Sequence, residues 1–292
     1  YFDRKSPAIP YWPYCQPLCL SFMKKIITIL IIFVWTNSYG QFDKLKGTWI
    51  SSSQDLICIR DTNTIYEYNG NVISNKSENN SCQLSIQFDT LKFFDFYGYR
   101  DSTFKDPYFL KILYQSDSIL IVRPITNFSR NFFQNRESIK FVRQEYSIDT
   151  TIIFEKIVYH TTNDCLHPYY CPEINMQIDN HKNVYLDGVF YKENYEIDSN
   201  YTGQFTGTLT NQFYDELINL IRTCNLKTLT FSDKWYADDS PERTFIIYFN
   251  GQRKYLKSTV PPRIVDRLIE FLDIINSRID LKRTNEKINL EK

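Results

Sequence analysis

The sequence predicts an all-β barrel domain followed by an α+β domain in which two helices cover an antiparallel sheet. The first half of the chain, residues 42–146, consists of short strand-like runs separated by polar breaks, which is typical of a closed meander. The second half, residues 151–283, mixes such runs with two segments of helical periodicity. A short polar join at residues 147–150 predicts that the two domains lie close together.

Length and charge limit the classes of function. A chain of 292 residues suits two domains of ordinary size. Its 34 basic and 34 acidic residues balance, so the sequence has neither the basic surface of a nucleic-acid-binding protein nor a polybasic membrane patch. It contains no complete motif of a serine hydrolase, a zinc protease or a nucleotide-binding enzyme. These observations favour a protein that is not an enzyme and that holds no cofactor.

Residues 1–40 are predicted to lie outside the folded protein. Residues 1–22 precede Met23, and we interpret them as translated upstream DNA that the native protein lacks. Residues 23–40 have the three parts of a signal peptide: two lysines, an apolar run, and the small residues Ser38 and Gly40 before the cleavage point. The apolar run is shorter than the roughly 20 residues of a membrane span. We therefore expect cleavage near Gly40, secretion or a periplasmic location, and no membrane span in the mature chain.

The first predicted strand of the barrel carries the run LKGTW, with Gly47 and Trp49 two residues apart. This run resembles the opening motif of lipocalin-like domains. The resemblance implies that Trp49 closes the floor of the barrel and that Arg143, from the last strand, lies over it as a cation–π pair. It also implies a site for a small apolar ligand. Small eight-stranded barrels are often filled by their own side chains, however, and we favour a filled barrel here.

The second half contains two amphipathic helices and a hairpin. Thr210 precedes the first helix, and Pro261-Pro262 begins the second. Asn250-Gly251 predicts a tight turn between two strands, and residues 284–292 are predicted to be a polar tail. The apolar faces are Phe213, Leu217, Leu220, Ile221 and Cys224 in the first helix, and Ile264, Leu268, Phe271, Leu272, Ile275 and Ile279 in the second.

The second half as a whole resembles a family of bacterial secreted proteins known as domain of unknown function 6438. The family pattern has a strand, a Cys-x-x-x-Cys-Pro turn, a hairpin, a Gly-x-aromatic-x-Gly run, a helix, an Asp-x-Pro turn, a second hairpin and a final helix. In this chain five residues separate the two cysteines instead of three. The resemblance implies a fold and a secreted bacterial protein, but no activity. The matching positions are Cys165, Cys171, Pro172, Gly188, Gly203, Phe205, Gly207, Asp239 and Pro241.

The turn at residues 161–172 is the first candidate for a site. A disulfide between Cys165 and Cys171 is favoured, because the predicted compartment is oxidising. A metal site is not favoured, because Cys-x-His-x-x-x-Cys is not a usual zinc spacing. The turn is also compatible with a cysteine nucleophile activated by a histidine, or with a pair of free thiols. The weak metal candidates are His160, Cys165, His167, Cys171 and His181.

The cysteine count predicts a free thiol. A start at Met23 excludes two cysteines and leaves five, so at least one stays unpaired. We predict that it is Cys224, which lies on the apolar face of a helix. Cys58 and Cys82 lie on predicted strands and either form a second disulfide or are two buried thiols.

The sequence predicts function only by class. We expect a secreted or periplasmic binding or interaction protein of the cell envelope, whose partner is a small apolar ligand or an envelope protein. Tyr169 and Tyr170, beside the cysteine turn, either form an exposed recognition patch or pack the loop. The second hypothesis is an envelope enzyme or a metal-binding protein that uses Cys165, His167 and Cys171.

Overall fold

Eight consecutive antiparallel strands close into a barrel in the computed structural model of the chain. The structure describes residues 43–60, 70–76, 78–99, 102–162, 171–192, 194–232, 240–285 and 290–291. Each strand pairs with the next along the chain, and the last pairs with the first, so the predicted barrel is confirmed. The strands are β1 (Gly47–Ser51), β2 (Leu56–Ile59), β3 (Asn71–Ser74), β4 (Asn79–Gln87), β5 (Thr90–Tyr99), β6 (Ser102–Gln115), β7 (Ile119–Pro124) and β8 (Ile139–Arg143).

Contacts divide the chain into two units, Tyr1–Leu45 and Lys46–Lys292. In the first unit the described residues are 43–45, which are helical. The upstream segment 1–22 and the signal peptide 23–40 therefore lie outside the described residues and stay predictions. The strands of the barrel all belong to the second unit.

Side chains fill the barrel interior. A short helix, α1 (Asn127–Phe132), connects β7 to β8 and begins with a capping box between Thr126 and Ser129. It brings Phe132 and Phe133 against Tyr108 and Phe141 with edge-to-face ring contacts. This helix was not predicted, because six residues are too few to show a helical period. Fully buried side chains of the barrel include Trp49, Ile57, Ile73, Leu91, Phe93, Leu110, Leu120, Val122, Phe133 and Phe141.

The second half forms a seven-stranded antiparallel sheet with the order β14-β13-β9-β10-β11-β12-β15. Asn250 and Gly251 both have positive φ between β13 and β14, as the Asn-Gly signal predicted for a tight hairpin turn. The strands are β9 (Phe154–Thr161), β10 (Glu173–Asp179), β11 (Asn183–Val189), β12 (Gly203–Thr208), β13 (Arg243–Phe249), β14 (Gln252–Ser258) and β15 (Lys282–Arg283).

Helices cover one face of this sheet. The first, α2 (Asn211–Thr223), is capped by the Thr210 side chain and buries Leu217 and Ile221, as predicted. The final helix is broken, which the sequence did not predict. After Pro262 a 3₁₀ turn (Arg263–Val265) leads into α3 (Asp266–Asp273), and Ile274, with φ −109° and ψ 8°, separates it from α4 (Ile275–Arg278).

The barrel and the sheet share one cluster of buried side chains. Ile50, Leu56 and Val72, from the outer wall of the barrel, belong to the same cluster as Ile264 and Leu268 beneath the sheet. A 3₁₀ turn (Gln144–Tyr146) follows β8, and its buried Gln144 donates from Nε2 to the carbonyl of Ile264 at 3.1 Å. A division into two independent domains stays a prediction.

Candidate functional site

The predicted cysteine turn lies mostly outside the described residues. Cys165, His167, Tyr169 and Tyr170 are not described, and the described part resumes at Cys171, which is half-buried. The disulfide between Cys165 and Cys171 and the recognition role of the two tyrosines therefore stay predictions.

The two described histidines among the weak metal-ligand candidates, His160 and His181, do not lie close enough to share a metal ion. His160 lies opposite Asn175 on β10, whereas His181 follows the far end of that strand. Six residues of strand separate these positions by roughly 20 Å. Both ring nitrogens of His160 have other contacts: Nδ1 lies 2.8 Å from Asn175 Oδ1, and Nε2 lies 2.6 Å from the carbonyl oxygen of Glu291. Within the described residues, no group of three His, Cys, Asp or Glu side chains could hold a metal ion.

Cys58 and Cys82 are free thiols, so a disulfide between them, one of the two sequence-based hypotheses, is wrong. Strand β3 lies between their strands: Val72 is opposite Cys58, and Asn71 is opposite Cys82. Two strand spacings are about 10 Å, which exceeds the Cα separation of a disulfide. Cys224 is also a free thiol, as predicted, and burial raises its pKa to about 12.

The predicted contact between Trp49 and Arg143 is present, and its place at the floor of the barrel stays a prediction. Trp49 and Arg143 are directly opposite on β1 and β8, and the Arg143 guanidinium lies 4.5 Å from the Trp49 ring. Its Nε donates to the carbonyl of Asp117 at 2.7 Å, and its Nη1 donates to the carbonyl of Lys46. Gly47 has a φ of +125°, and a Cβ there would lie 2.9 Å from Nη1. Gly47 is therefore required both by its backbone and by the close guanidinium.

The same arrangement occurs in the sheet. Phe205 of β12 is directly opposite Arg283 of β15, whose guanidinium lies 4.8 Å from the ring. Arg283 Nη1 donates to the carbonyl of Thr202 at 3.0 Å, which is the residue before Gly203. Gly203 has a φ of +120°, and a Cβ there would lie 2.6 Å from Nη1. Both pairs anchor a strand by stacking an arginine on an aromatic ring, and both are structural.

A polar pocket of about 110 Å³ lies between the outer wall of the barrel and α3. Burial raises the pKa of Asp266, although the Arg263 guanidinium opposes this shift. Small-molecule sites usually have several hundred Å³. The pocket is therefore too small to carry a ligand-binding function. Its lining includes Thr48, Cys58, Arg60, Gln144, Arg263, Asp266 and Glu270.

The strongest candidate for a site is the outer part of the β5–β6 hairpin, together with the residues at its base, where the strands leave their barrel neighbours. We call it the aromatic projection, residues 94–98 and 103–109. Strand β5 pairs with β4 only as far as Phe94, and β6 pairs with β7 only from Leu110 onward. Between these limits, the two strands pair with each other and with no other described strand. The projection therefore leaves the edge of β5 from Asp95 onward without a neighbouring strand in the described part of the chain.

One face of the aromatic projection combines phenylalanine with lysine. Phe94 contacts Phe109 edge-to-face, with ring centroids 5.3 Å apart. The Nζ of Lys105 lies 3.6 Å from the centroid of Phe94 and 5.2 Å from that of Phe96, and the Nζ of Lys92 lies 5.4 Å from the centroid of Phe109. Phe96 is 42% exposed. Aromatic residues are enriched at protein interfaces, so the exposed Phe96 ring makes this face a candidate contact surface.

The opposite face is acidic at its centre. Asp95 and Asp106 are directly opposite, and burial, together with the charge of Asp106, raises the pKa of the Asp95 carboxyl. Further out, Tyr97 and Phe104 stack with centroids 5.5 Å apart, and both are more than 40% exposed. The two faces thus differ in charge, because both carboxylates of the projection lie on this second face.

The sequence contained a signal for the aromatic projection, which was missed because the run was interpreted only as an ordinary strand. A strand with one wet face alternates apolar and polar residues. The run LKFFDFYGY instead places aromatic residues at both odd and even positions, which indicates aromatic side chains on both faces.

Comparisons with models of known protein families, with curated proteins and with solved structures find no match to this chain. The resemblances to lipocalin-like domains and to domain of unknown function 6438 therefore stay predictions. Among the described helices, none has the length and apolar character needed to cross a membrane.

Proposed function

We propose that the chain is a non-enzymatic binding or interaction protein of the cell envelope and that the aromatic projection contacts a protein partner. The observation that carries this proposal is the exposed Phe96, Tyr97 and Phe104 on a hairpin that extends beyond its barrel neighbours. Aromatic residues are enriched at protein interfaces, and tyrosine is among the residues enriched at the few positions that carry most of the binding energy. The barrel interior, which is filled by its own side chains, supports a surface site over an internal ligand site.

The chemistry of the projection favours an acidic, extended partner segment. Lys92 and Lys105 line the phenylalanine face, and the facing positions Gln83 and Ser85 of β4 are uncharged. The edge of β5 offers backbone groups to which an extended segment adds as a further strand. Glutamate or aspartate side chains of that strand would meet the two lysines.

A random 12-residue peptide library, displayed on phage and selected on the wild-type protein, is expected to yield acidic peptides. Phe96→Ala combined with Lys105→Ala removes one ring and one charge from the phenylalanine face. We expect this double variant to raise the Kd of the selected peptides at least tenfold, about 1.4 kcal/mol of lost binding free energy. Fluorescence anisotropy of labelled synthetic peptides measures the change.

Ile153→Ala is the matched control, because Ile153 is 69% exposed and lies in the second half of the chain. It should leave the Kd unchanged, and circular dichroism should show that every variant is folded. Selected peptides that are basic or neutral, or that bind the double variant as tightly as the wild type, would count against the proposal.

The location in the envelope rests on residues 23–40, which combine a basic start, an apolar run and a small-residue cleavage point. Expression of the chain from Met23 in a bacterial host should give an exported protein whose N-terminal sequence begins at Gln41. An uncleaved protein that stays in the cytoplasm would contradict the location without bearing on the aromatic projection.

A further inference from the structure

The polar face of the seven-stranded sheet carries a second candidate site, far along the chain from the aromatic projection. Lys156, Tyr248 and Arg253 lie in one row across β9, β13 and β14, because Tyr248 is directly opposite each of the other two. Directly opposite residues of a sheet point to the same face. Three side chains that can each donate to a carboxylate are thus placed side by side.

The carboxylate of Glu291 occupies this row. The Tyr248 hydroxyl lies 2.8 and 2.9 Å from its two oxygens, and Arg253 Nε donates to one of them at 2.8 Å. Lys156 Nζ lies 3.7 Å from the other oxygen and 4.5 Å from the Tyr248 ring. The hydrogen bond from Tyr248, together with the charges of Arg253 and Lys156, lowers the pKa of Glu291.

The backbone of Glu291 is also bound. His160, four residues beyond Lys156 on β9, has its Nε2 2.6 Å from the Glu291 carbonyl oxygen. A carbonyl oxygen only accepts, so Nε2 donates. Val158 lies between Lys156 and His160 on β9. It is directly opposite Ile246 of β13, and both side chains are fully buried. The sheet thus binds Glu291 through two groups, its side-chain carboxylate and its backbone carbonyl, as a peptide-binding site does.

The last described strand before Glu291, β15, lies at the opposite edge of the sheet from this site. Arg283 of β15 lies at the edge opposite to β14. Crossing from β15 to β9 takes four strand spacings, about 19 Å, and eight residues of chain span at most about 28 Å. Eight residues are therefore enough to join the described positions of Arg283 and Glu291, and Glu291 acts as a ligand tethered to its own site.

We propose that this face is a binding site for a peptide segment with a glutamate side chain, and that the segment containing Glu291 fills it in cis. Charge-assisted hydrogen bonds from Tyr248 and Arg253 select a carboxylate, and the hydrogen bond from His160 selects a backbone carbonyl. A free peptide with such a glutamate must displace the tethered one, so occupancy by Glu291 blocks the site.

The test uses the full chain and a fluorescein-labelled synthetic peptide of residues 284–292, TNEKINLEK. Glu291→Ala vacates the carboxylate row. We expect the peptide to bind this variant at least tenfold more tightly than the wild type, whose site is already filled. A peptide with glutamine in place of its second glutamate should bind at least tenfold more weakly than the native peptide. Fluorescence anisotropy gives both ratios.

Two further variants separate a specific site from a general charge effect. Arg253→Ala in the Glu291→Ala background should bind the labelled peptide at least tenfold more weakly than Glu291→Ala alone. Glu137→Ala, which removes an exposed glutamate from the barrel, should behave like the wild type. Glu291→Gln serves as a second vacant receptor, and thermal melting checks the fold of each variant. Equal binding to wild type and both vacant receptors, or binding indifferent to Arg253, would overturn the proposal and leave the aromatic projection untouched.

Discussion

Replacement of Trp49 by alanine is expected to lower the free energy of unfolding by about 3–5 kcal/mol. The Trp49 side chain is fully buried in the barrel, and its loss leaves a cavity among tightly packed neighbours. The loss also removes the ring beneath the Arg143 guanidinium, which is 4.5 Å away. Urea unfolding followed by circular dichroism measures the change without depending on tryptophan fluorescence.

A double-mutant cycle apportions this loss between packing and the cation–π contact. Arg143→Ala alone removes the contact and two hydrogen bonds to backbone carbonyls. We expect a coupling energy of about 0.5–2 kcal/mol between the two positions. Phe88→Ala is the surface control, because Phe88 is 85% exposed and should change stability by less than about 0.5 kcal/mol. A Trp49→Ala loss no larger than the Phe88→Ala loss would show that Trp49 is not part of the barrel core.

The sequence predicted those parts of the fold in which a short sequence pattern is compatible with a single local structure. Thr210 followed by an apolar stripe predicted α2 with its correct cap. Asn250-Gly251 predicted the hairpin turn between β13 and β14. Regular short strands predicted the barrel, and the resemblance carried by Gly47-x-Trp49 implied the contact between Trp49 and Arg143 that β1 and β8 make. In each case the backbone requirement and the side-chain pattern agree.

The candidate sites could not be predicted in the same way, because each depends on contacts between distant parts of the chain. Glu291 lies in a segment that composition marks only as polar, yet its carboxylate meets Tyr248 and Arg253, about forty residues earlier. The aromatic projection depends on where β4 and β7 stop pairing with their neighbours, and strand runs alone do not fix that limit. The break at Ile274 likewise has no signal in a continuous apolar stripe.

Alanine at Gly47 or at Gly203 is expected to lower the free energy of unfolding by about 2–4 kcal/mol, since each change combines backbone strain with a displaced guanidinium. Both glycines have φ near +120°, and both would place a Cβ within 3.0 Å of an arginine Nη1. In the sequence, Gly47 belongs to the motif of one family resemblance and Gly203 to that of another, whereas in the structure both glycines have the same physical role. Each lets an arginine from the facing strand lie over the ring two residues later.

Gly98→Ala is the matched control for this prediction, because a Cβ there has no neighbour within 4 Å and the φ of Gly98 is not positive. It should change stability by less than about 0.5 kcal/mol, or raise it slightly, since alanine restricts the unfolded chain. In an Arg143→Ala background, Gly47→Ala should cost only the backbone strain, about 1–3 kcal/mol. If the cost of Gly47→Ala were the same with and without Arg143, the glycine would serve the turn alone, and the close approach of the guanidinium would be incidental.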